Sequence, residues 1–252
     1  MLKSIVIEAG NILLNAENLD IQEKTSYKDL VTQYDKQVQE FLIKGIKSEV
    51  KDAVFLSEEL NDLDEKVDLN ASNLFIIDPI DGTTNFVHHL NYSAISVAWY
   101  QKGKPFYGIV YNPFVNEVYE AVADSGIAEL NNKEITVSDS FIKNSLVLFG
   151  TSPYDDLGDK TFDIVKGIFN KCQDVRRLGS AALDICQVAA GRASVFFEGV
   201  LSLWDHAASG IILKEAGGLI KNFDGEDIKL STEKTSIIVG NNTNIKEICK
   251  IF

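Results

Sequence analysis

Residues 74–86, LFIIDPIDGTTNF, run four apolar side chains directly into Asp78 and, three positions later, Asp81. An uninterrupted apolar run of this length is typical of a strand that is buried on both faces. Gly82 and the two threonines after it are suited to open a helix whose first backbone N–H groups are free. The stretch therefore predicts a core strand that ends in two carboxylates and is followed at once by a helix.

The periodicity of the remaining chain predicts a mixed α+β protein. Two early segments are helical, with apolar residues at Leu2, Ile5, Ala9 and Ile12 in the first and at Val38, Leu42 and Ile46 in the second, over 33–48. Strands are expected at 52–56 and repeatedly between 93 and 149. Later elements alternate: helices 159–170, 180–190, 203–216 and 243–250, and strands 174–178, 193–198 and 235–240. We divide this one compact unit into an N-terminal α+β half, 1–145, and a C-terminal α/β half, 146–252.

Composition narrows the class of partner. The net charge is −13, which is a poor match for a nucleic-acid backbone or an anionic membrane surface. The three cysteines are odd in number and widely spaced, as expected for reduced thiols in a cytoplasmic protein. We expect no nucleic acid and no membrane as partner, and a cation as the means of holding an anionic substrate.

Acidic residues fall where predicted strands end or helices begin. They are Glu58, Glu59, Asp78, Asp81, Glu198 and Asp205. If several converge they repel, by roughly 4 kcal/mol for two carboxylates about 4 Å apart at an effective dielectric constant of about 20. Convergence would then require cations, and oxygen ligands favour Mg²⁺, with Mn²⁺ or Ca²⁺ as alternatives.

Structural roles for the same residues stay open on this evidence. Asp81 could be the N-cap of a short helix, and Asp205 could complete a capping box with Ser202. Glu58 and Glu59 could be solvated loop charges. The calcium-loop spacing fails because a histidine stands at the twelfth position, and the C-x5-R pattern from Cys186 lies in an alanine-rich helical segment.

Two long motifs resemble the inositol monophosphatase family. They are DPIDGTTNF at 78–86 and WDHAASGIILKEAGG at 204–218. Supporting matches are KTSYKDLVTQYD at 24–35, FLSEE at 55–59 and RRLGSAALDICQVAAGRASVFFE at 176–198. The resemblance implies a layered α-β-α-β-α sandwich, a homodimer, and a Mg²⁺-dependent, lithium-sensitive phosphatase acting on inositol 1-phosphate or a similar small sugar or polyol phosphate.

The resemblance also implies residue roles. The metal ligands for two or three Mg²⁺ ions, or Mn²⁺, would be Glu58, Asp78, the Ile80 carbonyl, Asp81 and Asp205. The catalytic residues would be Thr83, Asp35 and Glu58, which prepare the attacking water. The substrate contacts would be Asp81, Gly82, Thr83, Gly179, Ser180, Ala181, Glu198 and Asp205.

Three departures from the family pattern leave the substrate open. Ser57 replaces a glycine, Ser209 replaces a small residue, and the segment 150–156 matches loosely. Fructose 1,6-bisphosphate, histidinol phosphate, NADP and 3′-phosphoadenosine nucleotides are therefore alternatives. A non-catalytic metal- or phosphate-binding regulator is the alternative outside enzymes.

Overall fold

The computed structural model describes residues 1–24, 26–60, 67–151 and 155–249. Within them the helices are α1 (Leu2–Leu14), α2 (Gln33–Glu49), α3 (Thr83–Val87), α4 (Asp155–Phe169), α5 (Ala181–Ala189), α6 (Leu203–Glu215) and α7 (Asn242–Ile248). The strands are β1 (Ile21–Glu23), β2 (Leu30–Thr32), β3 (Ala53–Ser57), β4 (Asn73–Asp81), β5 (Ala94–Gln101), β6 (Lys104–Asn112), β7 (Glu117–Val122), β8 (Ala128–Leu130), β9 (Lys133–Ile135), β10 (Leu146–Phe149), β11 (Asp174–Arg176), β12 (Val195–Leu201), β13 (Leu219–Lys221) and β14 (Thr235–Gly240).

Two sheets organise these elements. The larger has seven strands in the order β3-β4-β5-β6-β7-β8-β9, and the smaller has five in the order β11-β10-β12-β14-β13. β3 is parallel to β4, and the other pairs of the larger sheet are antiparallel. In the smaller sheet β10 is parallel to both of its neighbours, and β14 is antiparallel to both of its own.

Helices lie in three layers around the sheets. α1 and α2 share a core with one face of the larger sheet. α5 and α6 fill the space between the sheets, in a core to which both sheets contribute. α7 and the end of α4 pack on the outer face of the smaller sheet. The order is therefore α-β-α-β-α, which confirms the predicted fold.

β4 is the strand that the opening motif predicts. Leu74 and Ile76 face the central core, while Phe75 and Ile77 face α1 and α2. Full burial of such side chains stabilises a fold by about 1.5–3 kcal/mol each. Because side chains alternate along a strand, Asp78 points to the same face as Ile76, toward the central helices.

Some details of the prediction are wrong. The buried face of α1 consists of Leu2, Val6, Ala9, Gly10 and Leu13; the predicted Ile5 and Ile12 pack against the same core but are only partly buried. The strand predicted to end at Glu198 continues to Leu201. The hairpin β1–β2 and the short strands β8, β9 and β13 were not predicted, because three-residue strands carry too little periodicity.

Residues 61–66, and residues 152–154 of the loosely matching segment 150–156, lie outside the described residues. In the part of the chain that is described, no helix is long and apolar enough to cross a membrane.

Candidate active site

Asp78 and Asp81 occupy the distorted end of β4. The pairing of β4 with β5 shifts register between the two aspartates, and such irregularities re-aim side chains at strand ends. Only 2% of Asp78 and 8% of Asp81 are exposed. The backbone N–H of Ile80 donates to Asp78 Oδ1 at 3.1 Å, so the short loop itself orients this carboxylate.

The carboxylate of Asp81 binds the start of α5. It accepts hydrogen bonds from Ser180 Oγ (2.5 Å), Ala181 N (3.2 Å) and Ala182 N (2.7 Å). A carboxylate at a helix N-terminus is stabilised by the free N–H groups and by the helix dipole. The interpretation of Asp81 as the N-cap of α3 is wrong, because Gly82 occupies that position. Ser180 is the N-cap of α5.

Gly82 allows two distant segments to meet at the site. Its φ is +84°, a region that favours glycine, and a Cβ there would lie 3.0 Å from the carbonyl oxygen of Gly179 and 3.1 Å from that of Tyr92. The end of β4 and the segment before α5 are therefore in backbone contact, which places Gly82, Gly179 and Ser180 side by side.

Thr83 and Asp35 form a second part of the site. Thr83 Oγ1 lies 3.2 Å from Asp35 Oδ1 and 3.0 Å from the carbonyl oxygen of Ile80. Either oxygen can accept a hydrogen bond from the Thr83 hydroxyl. Asp35 also accepts from the backbone N–H and the hydroxyl of Thr32 at 2.7 Å, in a capping box at the start of α2. The fixed carboxylate of Asp35 orients the Thr83 hydroxyl.

Glu58 follows β3 and approaches the aspartates from the edge of the sheet. Lys24 Nζ donates to Glu58 Oε1 at 2.8 Å and also to Glu59. Ser57 Oγ donates to Gln39 Oε1 on α2, and the same oxygen accepts from Glu59 N at 3.2 Å. The two glutamates are thus held by side chains of β1–β2 and α2, so they are not freely solvated charges.

Asp205 lies in the first turn of α6. Its Oδ2 accepts a hydrogen bond from Ser202 N at 2.7 Å, which is the capping box that the sequence left open. The capping role and a role in the site are compatible, because Asp205 also lies near the other acids.

Electrostatics shows that these carboxylates converge. Burial raises the pKa of Asp78 well above its usual range, and the charges of Glu58, Asp81 and Asp205 raise it further. The pKa of Asp205 is raised by burial and then by Glu58 and Asp81. Burial raises the pKa of Asp81 to about 6, against its hydrogen bonds to α5. The buried carboxylates of Asp78 and Asp81 on β4 and the partly buried ones of Glu58, just after β3, and Asp205, on α6, therefore lie close enough to interact.

These carboxylates have the right chemistry to bind a hard cation, because their oxygens are the ligands such cations prefer and because buried like charges require compensation. Among the described residues, however, no group of three or more histidine, cysteine, aspartate or glutamate side chains is already arranged to hold a metal ion. Glu58, Asp81 and Asp205 each accept a hydrogen bond from a protein donor.

Glu198 lies on the side of the smaller sheet. It is 9% exposed, and its carboxylate packs so tightly on Gly150 that a Cβ there would lie 1.9 Å from Oε2. Burial raises the pKa of Glu198 to about 8, with a further contribution from Asp81, while Arg177 lowers it. Because the charge of Asp81 raises the pKa of Glu198, Glu198 lies near the acidic residues of the site.

Comparison with known proteins gives the family. A sequence model described as "Inositol monophosphatase family" matches residues 1–252. The chain belongs to the inositol monophosphatase family. It is 37% identical over 223 residues to Nus factor SuhB of Pasteurella multocida, covering 86% of this chain and 82% of that protein. It is 36% identical over 214 residues to inositol-1-monophosphatase of Synechocystis, covering 84% and 73%. The solved Thermotoga maritima IMPase matches with a TM-score of 0.86 and 30% identity, covering 98% of this chain and 93% of that one.

Inositol monophosphatases are generally metal-dependent.

The structure accommodates two of the departures from the family pattern. Ser57, where the family usually has glycine, is accommodated by its bond to Gln39. Ser209 is fully buried on α6, and its hydroxyl lies 3.4 Å from the carbonyl oxygen of His206.

The sequence did not reveal several residues around this inositol monophosphatase site. Asn85 Nδ2 donates to the carbonyl oxygens of Tyr92 and Leu178, both at 2.8 Å. Tyr92 OH donates to the buried Asp184 at 2.9 Å. Asn85 lies inside the opening motif, but the sequence gives no signal that its side chain bonds the carbonyl oxygen of Leu178, 93 residues later.

Proposed function

We propose that the chain is a cation-dependent phosphomonoesterase that hydrolyses inositol 1-phosphate or a similar small polyol phosphate by in-line attack of water. The observation that carries this proposal is the convergence of the buried Asp78 and Asp81 with Glu58 and Asp205, whose charges act on one another. None of the ion pairs among the described residues involves one of the three aspartates. Their charge is best compensated by a bound cation.

The cation we propose is Mg²⁺, two or three ions per site, with Mn²⁺ as the alternative. The residues that would hold it are Glu58, Asp78, Asp81, Asp205 and the carbonyl oxygen of Ile80. When bound, Mg²⁺ supplies positive charge that lowers the pKa of water and neutralises the phosphate. For Glu58 this role requires exchange of Lys24 for the cation.

The remaining residues would position the reacting groups. The Thr83 hydroxyl, held between Asp35 and Ile80, orients the attacking water. The backbone amides of Gly82 and Thr83 donate to the phosphate oxygens. Pre-positioned donors of this kind account for much of the barrier lowering in phosphoryl transfer.

The alcohol portion of the substrate would face the segment before α5 and β12. We assign this role to Gly179, Ser180, Ala181 and Glu198. Gly82 and Gly179 are in contact, so a phosphate on the first would place its alcohol beside the second. Glu198 would accept a hydrogen bond from a substrate hydroxyl.

A second candidate function is that of a non-catalytic metal- or phosphate-binding regulator. It is suggested by the relatives named Nus factor SuhB. That name denotes a role other than phosphate release, so family membership alone does not carry the enzymatic proposal. We favour catalysis because Thr83, Asp35 and the acidic residues remain together in the site.

The test is phosphate release over a panel of esters with Mg²⁺ or Mn²⁺, followed by addition of Li⁺. The panel contains inositol 1-phosphate, fructose 1,6-bisphosphate, histidinol phosphate and NADP. Asp78→Asn should lower Mg²⁺-dependent kcat by more than roughly 100-fold, beyond the 10- to 100-fold typical of changes to residues that only hold a metal ligand in place. Asp163→Asn, on the exposed surface of α4, is the control. Wild-type activity in Asp78→Asn would refute the proposed role of Asp78 in binding the cation. Light scattering tests the proposed homodimer.

A further inference from the structure

Ser96 carries a buried hydroxyl near the start of β5. Only 1% of the residue is exposed. In the described part of the chain its Oγ has no hydrogen-bond partner, a condition that it shares with a single other buried side-chain atom, Asn244 Oδ1. A buried polar group without a partner costs free energy, so such groups are rare in native proteins and each one requires an explanation.

The register of the larger sheet places Ser96 opposite Asp78. The two residues are paired across β5 and β4, immediately before the register shift toward Asp81. Directly paired residues of antiparallel strands have Cβ atoms about 4.5–5.5 Å apart and side chains on the same face of the sheet. Ser96 therefore faces the central helices, as Asp78 does, on the side where the proposed cation site lies.

The other sheet neighbours of Ser96 on this face are apolar. Ala94 and Ala98 lie two positions away on β5, and Val110 is paired with Ser96 from β6. All three belong to the core between the two sheets. Of its four neighbours on this face, all in the described part of the chain, only Asp78 has a polar side chain that could share a ligand with the hydroxyl.

We propose that Ser96 is a positioning residue, whose hydroxyl donates a hydrogen bond to a water molecule that bridges to the carboxylate of Asp78 when this carboxylate holds the cation. A water is the bridge because the two side chains make no direct hydrogen bond, and a buried water requires at least two polar partners. The backbone N–H of Ile80 already donates to Asp78 Oδ1. A second donor would complete the orientation of the carboxylate, as residues behind metal ligands commonly do.

This inference rests on the proposed function, because it requires Asp78 to bind a cation. It adds a residue that acts through Asp78 and touches neither the cation nor the substrate. The hydroxyl should therefore contribute to cation affinity while contributing no stability of its own, since the protein offers it no partner. A serine with a purely structural role would show the opposite combination.

The test is Mg²⁺ binding, measured by isothermal titration calorimetry with no ester present. Ser96→Ala should raise the Kd for Mg²⁺ by about tenfold, the lower end of the effect of residues that hold a metal ligand in place. In EDTA the free energy of unfolding of Ser96→Ala in urea should equal or exceed that of the wild type. With Mg²⁺ far above both Kd values, its gain in that free energy should be smaller than the gain of the wild type by about 1.4 kcal/mol, the same tenfold factor.

Ser194→Ala is the matched control, because Ser194 is a buried serine whose hydroxyl does have a partner. It is 3% exposed, precedes β12 in the smaller sheet, and its Oγ donates to Ser145 Oγ at 2.7 Å. Its replacement should lower the free energy of unfolding equally with Mg²⁺ and with EDTA, and should leave the Kd for Mg²⁺ within about twofold of the wild type.

The possible outcomes separate the role of Ser96 from the proposed activity. An unchanged Kd in Ser96→Ala, or an equal rise in Ser194→Ala, would overturn the role of Ser96 and leave Asp78 as a proposed cation ligand. Absence of phosphate release from every ester would refute the proposed activity, and the ratio of the Mg²⁺ Kd values would still decide the role of Ser96. Absence of Mg²⁺ binding by the wild-type protein would overturn the inference together with the cation site.

Discussion

Asn85 joins the two sides of the site through hydrogen bonds whose contribution to stability can be measured. Its side-chain amide donates to the carbonyl oxygens of Tyr92 and Leu178, at 2.8 Å in each case. The Asn85 residue itself is 6% exposed. The change that isolates this contact is Asn85→Asp, which keeps the volume of the side chain but removes both donated hydrogen bonds.

The expected cost follows from those two bonds. A buried polar group left without its partner costs about 1–3 kcal/mol, so two carbonyls give about 2–6 kcal/mol. In Asn85→Asp the carbonyl oxygens also face a carboxylate, which adds repulsion. For a chain of 150–250 residues each kcal/mol corresponds to about 2–4 °C in Tm, so we expect Tm to fall by about 4–24 °C.

Urea unfolding followed by circular dichroism measures the loss, with Asn85→Ala as a second variant and Asn11→Ala as the control. Asn11 is exposed on α1, and its replacement by alanine should change stability by less than about 0.5 kcal/mol. A free energy of unfolding for Asn85→Asp within about 0.5 kcal/mol of wild type would refute the reasoning, since the bridge would then contribute nothing net.

Two further predictions concern residues around the site. Gly150→Ala should raise KM for polyol phosphates, because its Cβ would lie 1.9 Å from Glu198 Oε2. Gly158→Ala, where a Cβ meets nothing within 4 Å, should leave KM unchanged, and equal KM values in both variants would contradict the argument. Burial lowers the pKa of His206 to about 4, from 6.5, so its stability contribution is complete above pH 6.5 and is lost as pH falls toward 4. Between pH 7 and pH 5 the wild type should therefore lose about 2 kcal/mol more than His206→Gln in urea unfolding, and parallel losses would contradict this.

Local patterns predicted much of the fold because they reflect short-range physics. The apolar run at 74–77 indicated a doubly buried strand, and the spacing of Val38, Leu42 and Ile46 indicated one face of α2. The capping box of Ser202 and Asp205 was visible because both partners belong to one helical turn. Three-residue strands such as β13 were missed because their pairing partner, not their own sequence, makes them strands.

The site divides in the same way. By itself the sequence determined which donors exist and that each stands near the end of a strand or the start of a helix. Tertiary structure alone decided that Asp81 bonds Ser180, 99 residues later, and that Lys24 pairs with Glu58. The physical reason is that propensity and capping act within a few residues, whereas these contacts depend on how two sheets and the helices between them pack.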